Sequence, residues 1–246
     1  MKKKIVASIE ARMTSTRLPG KVLLPCVGKP MLELLLERVK RSKLIDHIVV
    51  STTVNETDDE IIKLMKKLHI GYFRGSELDV VDRVVRAMKT EGANVVVQLT
   101  GDCPLLDASV IDQVILVYLY NNFDYVSNTL VRSYPRGLDV QVSSFEILEK
   151  SLKIAIDAAQ HEHVYLSIYE NHGKFKLFNV FAPPELCRPD LRWTLDTQAD
   201  YEFIKAIYRN LYKNNPEFTS SEIIKFLDKH PEIIELNRDI RQKSVR

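Results

Sequence analysis

Up to about residue 121 the chain keeps switching between two hydrophobic periods, and that alternation leaves few folds open. Lys4–Ile9, His47–Ser51, Gly71–Phe73 and Asn94–Thr100 are short runs rich in β-branched or apolar residues. Longer stretches follow them with apolar residues three and four apart, as at Leu32, Leu35, Leu36 and Val39 within Met31–Lys43. The first pattern predicts strands buried on both faces, the second helices with one apolar side. Thr57 ahead of Asp58, Asp59 and Glu60 predicts a helix start, with the helix running to about Leu68. Ser76 is expected to cap a helix over Glu77–Lys89, and Ala108–Asn121 reads as another. Strand and helix in strict turn predict an α/β fold with a mainly parallel sheet between helical layers.

The second half is mixed. Tyr125–Ser127 and Leu138–Val142 read as strands around an irregular loop with Pro135 and Gly137. Phe145–Ala158 and Glu162–Asn171 read as helices, Phe175–Val180 and Leu191–Thr194 as strands, and Ala199–Lys213 and Ser220–Asp228 as closing helices. No internal repeat or Pro/Ser linker interrupts the chain. The expectation is one domain over residues 1–246, with a dimerisation or sugar-binding subregion at about 130–190.

Composition narrows the function. The net charge is +2, so nothing calls for nucleic acid or an acidic membrane as partner. Cys26, Cys103 and Cys187 form no C-x-x-C pair, which argues against a disulfide framework or zinc ribbon and for a reducing compartment. The basic start Met1–Lys4 precedes an apolar run that stops at Glu10, too short for a secretory leader, so it reads as a first strand. No apolar run approaches the ~20 residues that cross a bilayer. A cytoplasmic location is expected.

In open α/β sheets ligands bind beyond the carboxyl ends of the strands, so the residues there are the candidates. After the first strand come Ala11, Arg12, Ser15, Arg17, Gly20 and Lys21. Arginine forks and a lysine point charge suit phosphate oxygens, and Gly20 permits close backbone approach. The alternative is a solvated basic loop. Neither G-x-x-x-x-G-K-[ST] nor G-x-G-x-x-G occurs, which weakens the kinase and dehydrogenase readings. Asp102 follows Gln98–Gly101, and Asp196 follows Trp193–Leu195. Two aspartates at strand ends suit Mg²⁺, which takes one or two carboxylates and completes its shell with water and phosphate. Each could instead cap the next helix, Asp196 especially, with Thr197 and Asp200 following. Arg74 and Gly75 open a third strand end, where a helix start could hold an anion or a base edge.

These segments together resemble the cytidylyltransferase family that includes the Kdo (3-deoxy-manno-octulosonate) and acylneuraminate enzymes, and within it the spore coat polysaccharide biosynthesis protein F branch. The resemblance is carried by Glu10–Lys21 continuing to Gly28–Met31, by Gly75–Arg83, by Thr100–Leu105 and by Trp193–Thr197 with Asp200. It spans about residues 4–210. It implies a Rossmann-like nucleotide-diphosphosugar transferase fold, a three-layer α/β/α sandwich. It implies transfer of CMP from CTP to a sugar acid or related sugar, with Mg²⁺ as cofactor and a homodimer as the assembly. Ala11, Arg12, Ser15, Arg17 and Lys21 fall on the triphosphate motif, Asp102 and Asp196 on the metal aspartates, Arg74 and Gly75 near the cytosine pocket. Arg12, Lys21 and Asp102 would carry catalysis. Gln98 is placed to face base or sugar, and His163 lies near the sugar contacts. Arg136 stands where an acid is expected; it could pair with a sugar carboxylate or be surface charge. Trp193 reads as core. A glycosyltransferase on the same fold would be expected to show D-x-D, and Gly101–Pro104 offers one aspartate. A non-catalytic nucleotide- or sugar-binding scaffold is the remaining alternative.

Overall fold

The structure, a computed structural model, describes residues 2–243, so Met1 of the basic start and residues 244–246 lie outside it. Ile5–Glu10 forms β1, whose alternate residues bury into opposite layers: Ile5, Ala7 and Ile9 on one side, Val6 on the other. A strand apolar on both faces must run through the middle of a sheet. A 3-10 turn at Lys21–Leu23 leads into a small hairpin, β2 (Pro25–Cys26) and β3 (Lys29–Pro30), which periodicity does not reveal. Then come α1 (Met31–Val39), β4 (His47–Thr53), α2 (Asp59–Leu68), β5 (Gly71–Gly75), α3 (Val80–Thr90), β6 (Val95–Thr100) and α4 (Ala108–Tyr120). The expected alternation is present.

Two helix starts differ from expectation. A 3-10 turn over Glu56–Asp58 replaces the Thr57 cap, because the buried Asp58 carboxylate is occupied by Thr52, Thr53 and the Met13 amide. The next helix begins at Val80 with Asp79 as its cap, while Ser76 Oγ accepts from the Asp79 amide and shapes the turn before it.

The rest of the chain adds β7 (Tyr125–Ser127), β8 (Gln141–Ser144), α5 (Phe145–Ile154), α6 (Ala158–Glu162), α7 (Leu166–Tyr169), β9 (Leu177–Asn179), α8 (Gln198–Leu211), α9 (Ser220–Lys229) and α10 (Pro231–Ile234). The helix expected over Glu162–Asn171 is divided, because His163 is extended and ends α6. Leu191–Thr194 is not a strand. Its backbone makes one bridge to Arg136, with the Trp193 amide on the Arg136 carbonyl, and the Thr194 hydroxyl donates to the Asp102 carbonyl.

The seven-stranded sheet has the order β5-β4-β1-β6-β8-β7-β9. The first four strands are parallel, β8 is antiparallel to β6 and β7, and β9 is parallel to β7. Helices cover both faces. α1, α2, α4, α8 and α9 pack with Ile5, Ala7 and Ile9, whereas α3, α5 and α7 pack with Val6, Val49 and Val96. This is the Rossmann-like α/β/α sandwich. From β1 the chain goes outward through β4 and β5, then returns to the other side at β6. That reversal opens a crevice at the carboxyl ends of β1 and β6, which is where such sheets bind ligands. Among the described residues no helix is long and apolar enough to cross a membrane.

Candidate active site

Two chain segments about ninety residues apart are stitched together at the crevice. The Asp102 carbonyl accepts from the Leu195 amide at 2.7 Å and from Thr194 Oγ1 at 3.2 Å. Gly137 lets a third segment close over them. At φ +108° it lies so near Trp193 that a Cβ would come within 2.7 Å of backbone. The side chains then have little freedom. α4 is capped by Asp107, so Asp102 is not spent as a cap. α8 is capped by Thr197, whose capping-box partner Asp200 returns a bond to the Thr197 amide. Asp196 therefore stands just before the cap, free to face the crevice.

Lys21 Nζ lies between the two aspartates, 2.9 Å from Asp102 Oδ2 and 2.8 Å from Asp196 Oδ1. Gly20 donates its amide to the Met13 carbonyl at 2.9 Å, which closes the preceding loop and aims Lys21 inward. Arg17 reaches Asp196 at 3.0 Å and Arg192 reaches it at 2.8 Å. Arg192 also bonds Asp200 at 2.9 Å. Burial works against the charge on Lys21, but Asp102 and Asp196 outweigh it and hold its pKa above the usual lysine value. Burial likewise opposes ionisation of Asp102, and Lys21 with the Thr100 hydroxyl outweighs it, so this carboxyl is held below its usual range. Among the described residues no group of three or more His, Cys, Asp or Glu converges as a metal cage. Asp102 Oδ2 and Asp196 Oδ1 nevertheless converge on one point, held here by the Lys21 ammonium, while Arg17 and Arg192 take the other oxygen of Asp196.

The other expected residues divide into groups. Ala11 is buried with its amide on the Ser51 carbonyl, which seats the start of the loop. Arg12 lies 3.6 Å from Glu77 and 3.9 Å from Glu162, at the entrance. Ser15 is half-buried in the same loop. Arg74 spends its guanidinium on the Thr53 and Asn55 carbonyls and on Asp59, each within 2.8 Å, and so braces the β4–α2 turn. Gly75 ends β5 against the Arg83 side chain. Gln98 is buried and hydrogen-bonded to Glu10 and Gln141. Arg136 is half-buried beside Arg132 and Asp139, and its pKa is pushed down by burial and by Arg132. His163 is half-buried after α6, with burial lowering its pKa. His161 is instead paired with Asp79 at 2.8 Å. Trp193 is wholly buried, as expected of core.

Sequence reasoning assigns no site role to Arg192, Asp200, Glu10 and Arg83. The first two carry a visible signal, since Arg192, Asp196 and Asp200 recur every four residues. Glu10 is also visible as the lone acid ending an apolar strand. Arg83 is not visible, because nothing in an amphipathic helix marks one arginine as 2 % exposed.

The sequence profile of the family described as Cytidylyltransferase matches residues 6–225 of this chain. The chain is 42% identical over 243 residues to Methanocaldococcus jannaschii MJ1063, spanning 99% of this chain and 98% of that one. It is 34% identical over 233 residues to the spore coat polysaccharide biosynthesis protein SpsF of Bacillus subtilis, 93% of this chain and 95% of that protein. The solved structure of a cytidylyltransferase from Leptospira borgpetersenii superposes with a TM-score of 0.90 at 35% identity, over 99% of this chain and all of that one. The chain belongs to the cytidylyltransferase family.

Proposed function

We propose that the protein transfers the cytidylyl group of CTP to a hydroxyl of a sugar or sugar acid and releases pyrophosphate, using Mg²⁺, in the synthesis of a surface polysaccharide. The observation that carries this reading is the meeting of Lys21, Arg17, Asp102 and Asp196 at the topological switch of the sheet. Family membership supplies the nucleotide. The name of the Bacillus subtilis relative supports the polysaccharide setting. The acceptor class, nonulosonate or Kdo-like, comes from the resemblance.

The residues present fit magnesium. Two carboxylates share a focus, and phosphates and water would complete the shell, as this ion prefers. When bound there, Mg²⁺ would neutralise phosphate charge next to the reacting phosphorus. Arg12, Arg17, Ser15 and Lys21 would hold the triphosphate, with the Ala11 backbone beside it. The long stem of Lys21 lets its ammonium turn from the aspartates to the phosphate oxygens. Its charge and that of Arg12 would then offset the charge building up on the departing pyrophosphate. Arg74, Gly75 and Gln98 would border the nucleoside. Gln98, Arg136 and His163 would border the acceptor. The acceptor hydroxyl oxygen would attack the α-phosphorus in line, forming one P–O bond as the bond to the pyrophosphate oxygen breaks and the hydroxyl proton passes to solvent, and the protein chiefly positions the partners. The enzyme would work in the cytoplasm as a homodimer.

Pyrophosphate release decides the matter. CTP with Mg²⁺ should support release with a nonulosonate, a Kdo-like acid or a related sugar, and ATP, GTP and UTP should not. Release with another nucleotide in place of CTP would overturn the base assignment. CTP binding by calorimetry with no release across the panel would overturn the transfer reading in favour of a binding scaffold.

A further inference from the structure

A row of polar side chains crosses the sheet on the face that packs α3, α5 and α7. Its hydrogen bonds all run one way. Tyr125 Oη donates to Gln141 Oε1, Gln141 Nε2 donates to Gln98 Oε1, and Gln98 Nε2 donates to Glu10 Oε2. Ser8 Oγ donates to the other Glu10 oxygen at 2.7 Å. The row passes through β7, β8, β6 and β1 in adjacent register: Ser127 lies opposite Gln141, Gln141 opposite Gln98, and Gln98 opposite Ser8. The rungs before it on the same face, Val6 and Val96, are fully buried valines. An apolar rung would serve stability as well, because exchanging both partners of a buried hydrogen bond for apolar groups is nearly neutral. The chain spends amides and a carboxyl here, at the last rungs before the crevice, and it aligns them on one oxygen pair.

The row is open at one side. Gln98 is buried, whereas Glu10 and Gln141 are only partly covered. The nearby positive charge is Arg83, which makes no hydrogen bond or ion pair with Glu10. Arg83 is 2 % exposed, it donates through Nη1 to the Ser76 carbonyl, and its Nε has no partner among the described residues. Glu10 is the principal counter-charge of this guanidinium. A fixed acceptor pair at the partly open end of the row matches hydroxyl donors.

We propose that Glu10 is a specificity-determining residue for the acceptor, taking hydrogen bonds from its hydroxyls. This rests on the cytidylyl-transfer reading above. It adds an orientation. The polyol part of the acceptor turns to Glu10, and a carboxylate, where the acceptor has one, turns away from it to Arg136.

The groups facing Glu10 are Arg83 from α3, Tyr165 from the segment before α7, and its partners Ser8 and Gln98, with Arg12 beyond Arg83. Burial outweighs the Arg83 charge and the hydrogen bonds, and lifts the carboxyl to about 7.

The test is Glu10→Gln, which keeps the shape and replaces one acceptor oxygen with a donor. The probes are CTP alone, by calorimetry, and whichever sugar acid or sugar turns over with the unaltered enzyme. The variant should bind CTP with an unchanged Kd and raise the acceptor KM by about 10- to 100-fold, the worth of a hydrogen bond to a charged group. kcat should stay within about threefold, since an interaction made equally in ground and transition states moves KM alone. In the unaltered enzyme acceptor KM should climb as pH falls through about 7, and in Glu10→Gln it should be flat. Glu10→Asp should keep that pH limb, and it carries the test if the amide variant does not fold. An unchanged acceptor KM, or a loss of CTP affinity in its place, overturns the proposal. Absence of turnover in the unaltered enzyme overturns the transfer reading itself, and is seen before any variant is made.

Discussion

Two acidic groups at neighbouring strand ends meet the same problem in opposite ways. Asp102 follows β6 and Glu10 ends β1, and burial penalises the charge of both. Asp102 is answered by an ammonium in contact, Lys21 at 2.9 Å, and its pKa falls. Glu10 is answered by neutral hydroxyl and amide donors, with Arg83 further off, and its pKa rises to about 7. Neighbouring charge, not depth, decides which way a carboxyl moves. The pH dependences of the two are therefore opposite. A depressed pKa adds stability above the unfolded value and loses it as the solution is acidified. A raised one gives stability that is lost as pH climbs. One centre is a charge cluster, which on the proposed reading would hold polyanion and metal. The other is a hydrogen-bonding wall, fit for a neutral polyol.

The largest effect is expected where the cluster loses an acid. Asp102→Asn removes a charge aimed at the focus shared with Asp196. It should lower kcat by about 10³-fold or more, in line with removal of a preorganised electrostatic contact. The fold should be kept, since the amide can still accept from Lys21, with a modest drop in melting temperature for the lost ion pair. Turnover at the unaltered rate would sink the assignment of Asp102 to the metal. Loss of the cation is a milder break. Lys21→Ala should reduce kcat/KM for CTP by about 10²-fold, and weaken CTP binding more than CMP binding, because its reach is to the outer phosphates. The same variant should raise the pKa of Asp102, its principal counter-charge being gone. Equal loss for CMP and CTP would count against the phosphate role. A fall in the Asp102 pKa would mean that Lys21 is not what holds that carboxyl ionised.

The two centres are not equally legible in the sequence. The charge cluster is, because its members sit in short contiguous motifs: Lys21 in the loop after β1, Asp102 two residues beyond β6 and Asp196 beside a capping threonine. What sequence leaves open is whether Asp196 or Thr197 caps α8, a choice made by the bond from the Asp200 amide to Thr197 Oγ1. The wall is not legible as a unit. Ser8, Gln98 and Gln141 belong to distant strands, and they align only once the β1–β6 and β6–β8 registers are known. Of these, only Gln98 stands out in sequence, through its place just before the Asp102 motif. The parallel half of the sheet is readable because strands buried on both faces form continuous apolar runs. In the second half Leu191–Thr194 has the same look, yet its backbone pairs with the loop at Arg136 and the Thr194 hydroxyl goes to Asp102. Pairing of that kind leaves no periodicity behind.

The smallest effect sharpens the contrast through stability alone. The Glu10 carboxyl titrates near 7 in the folded protein against an ordinary 4.5, so between those values the folded chain holds more proton than the unfolded one. Stability then falls as pH rises across that window, and levels off above it. The full shift would be worth about 3 kcal/mol, and solvent screening at this partly open position reduces it to about 1–2 kcal/mol. Glu10→Gln carries no charge to desolvate. Its urea midpoint relative to the unaltered protein should therefore climb between pH 5 and pH 8, with equal m-values at both ends. The same pair of curves for Lys21→Ala should diverge the other way. That variant forfeits an attraction present while Asp102 is ionised, so its deficit should be greatest at neutral pH and shrink in acid. Parallel curves for the two variants would mean that both carboxyls are governed by one environment, and would undo the distinction between cluster and wall.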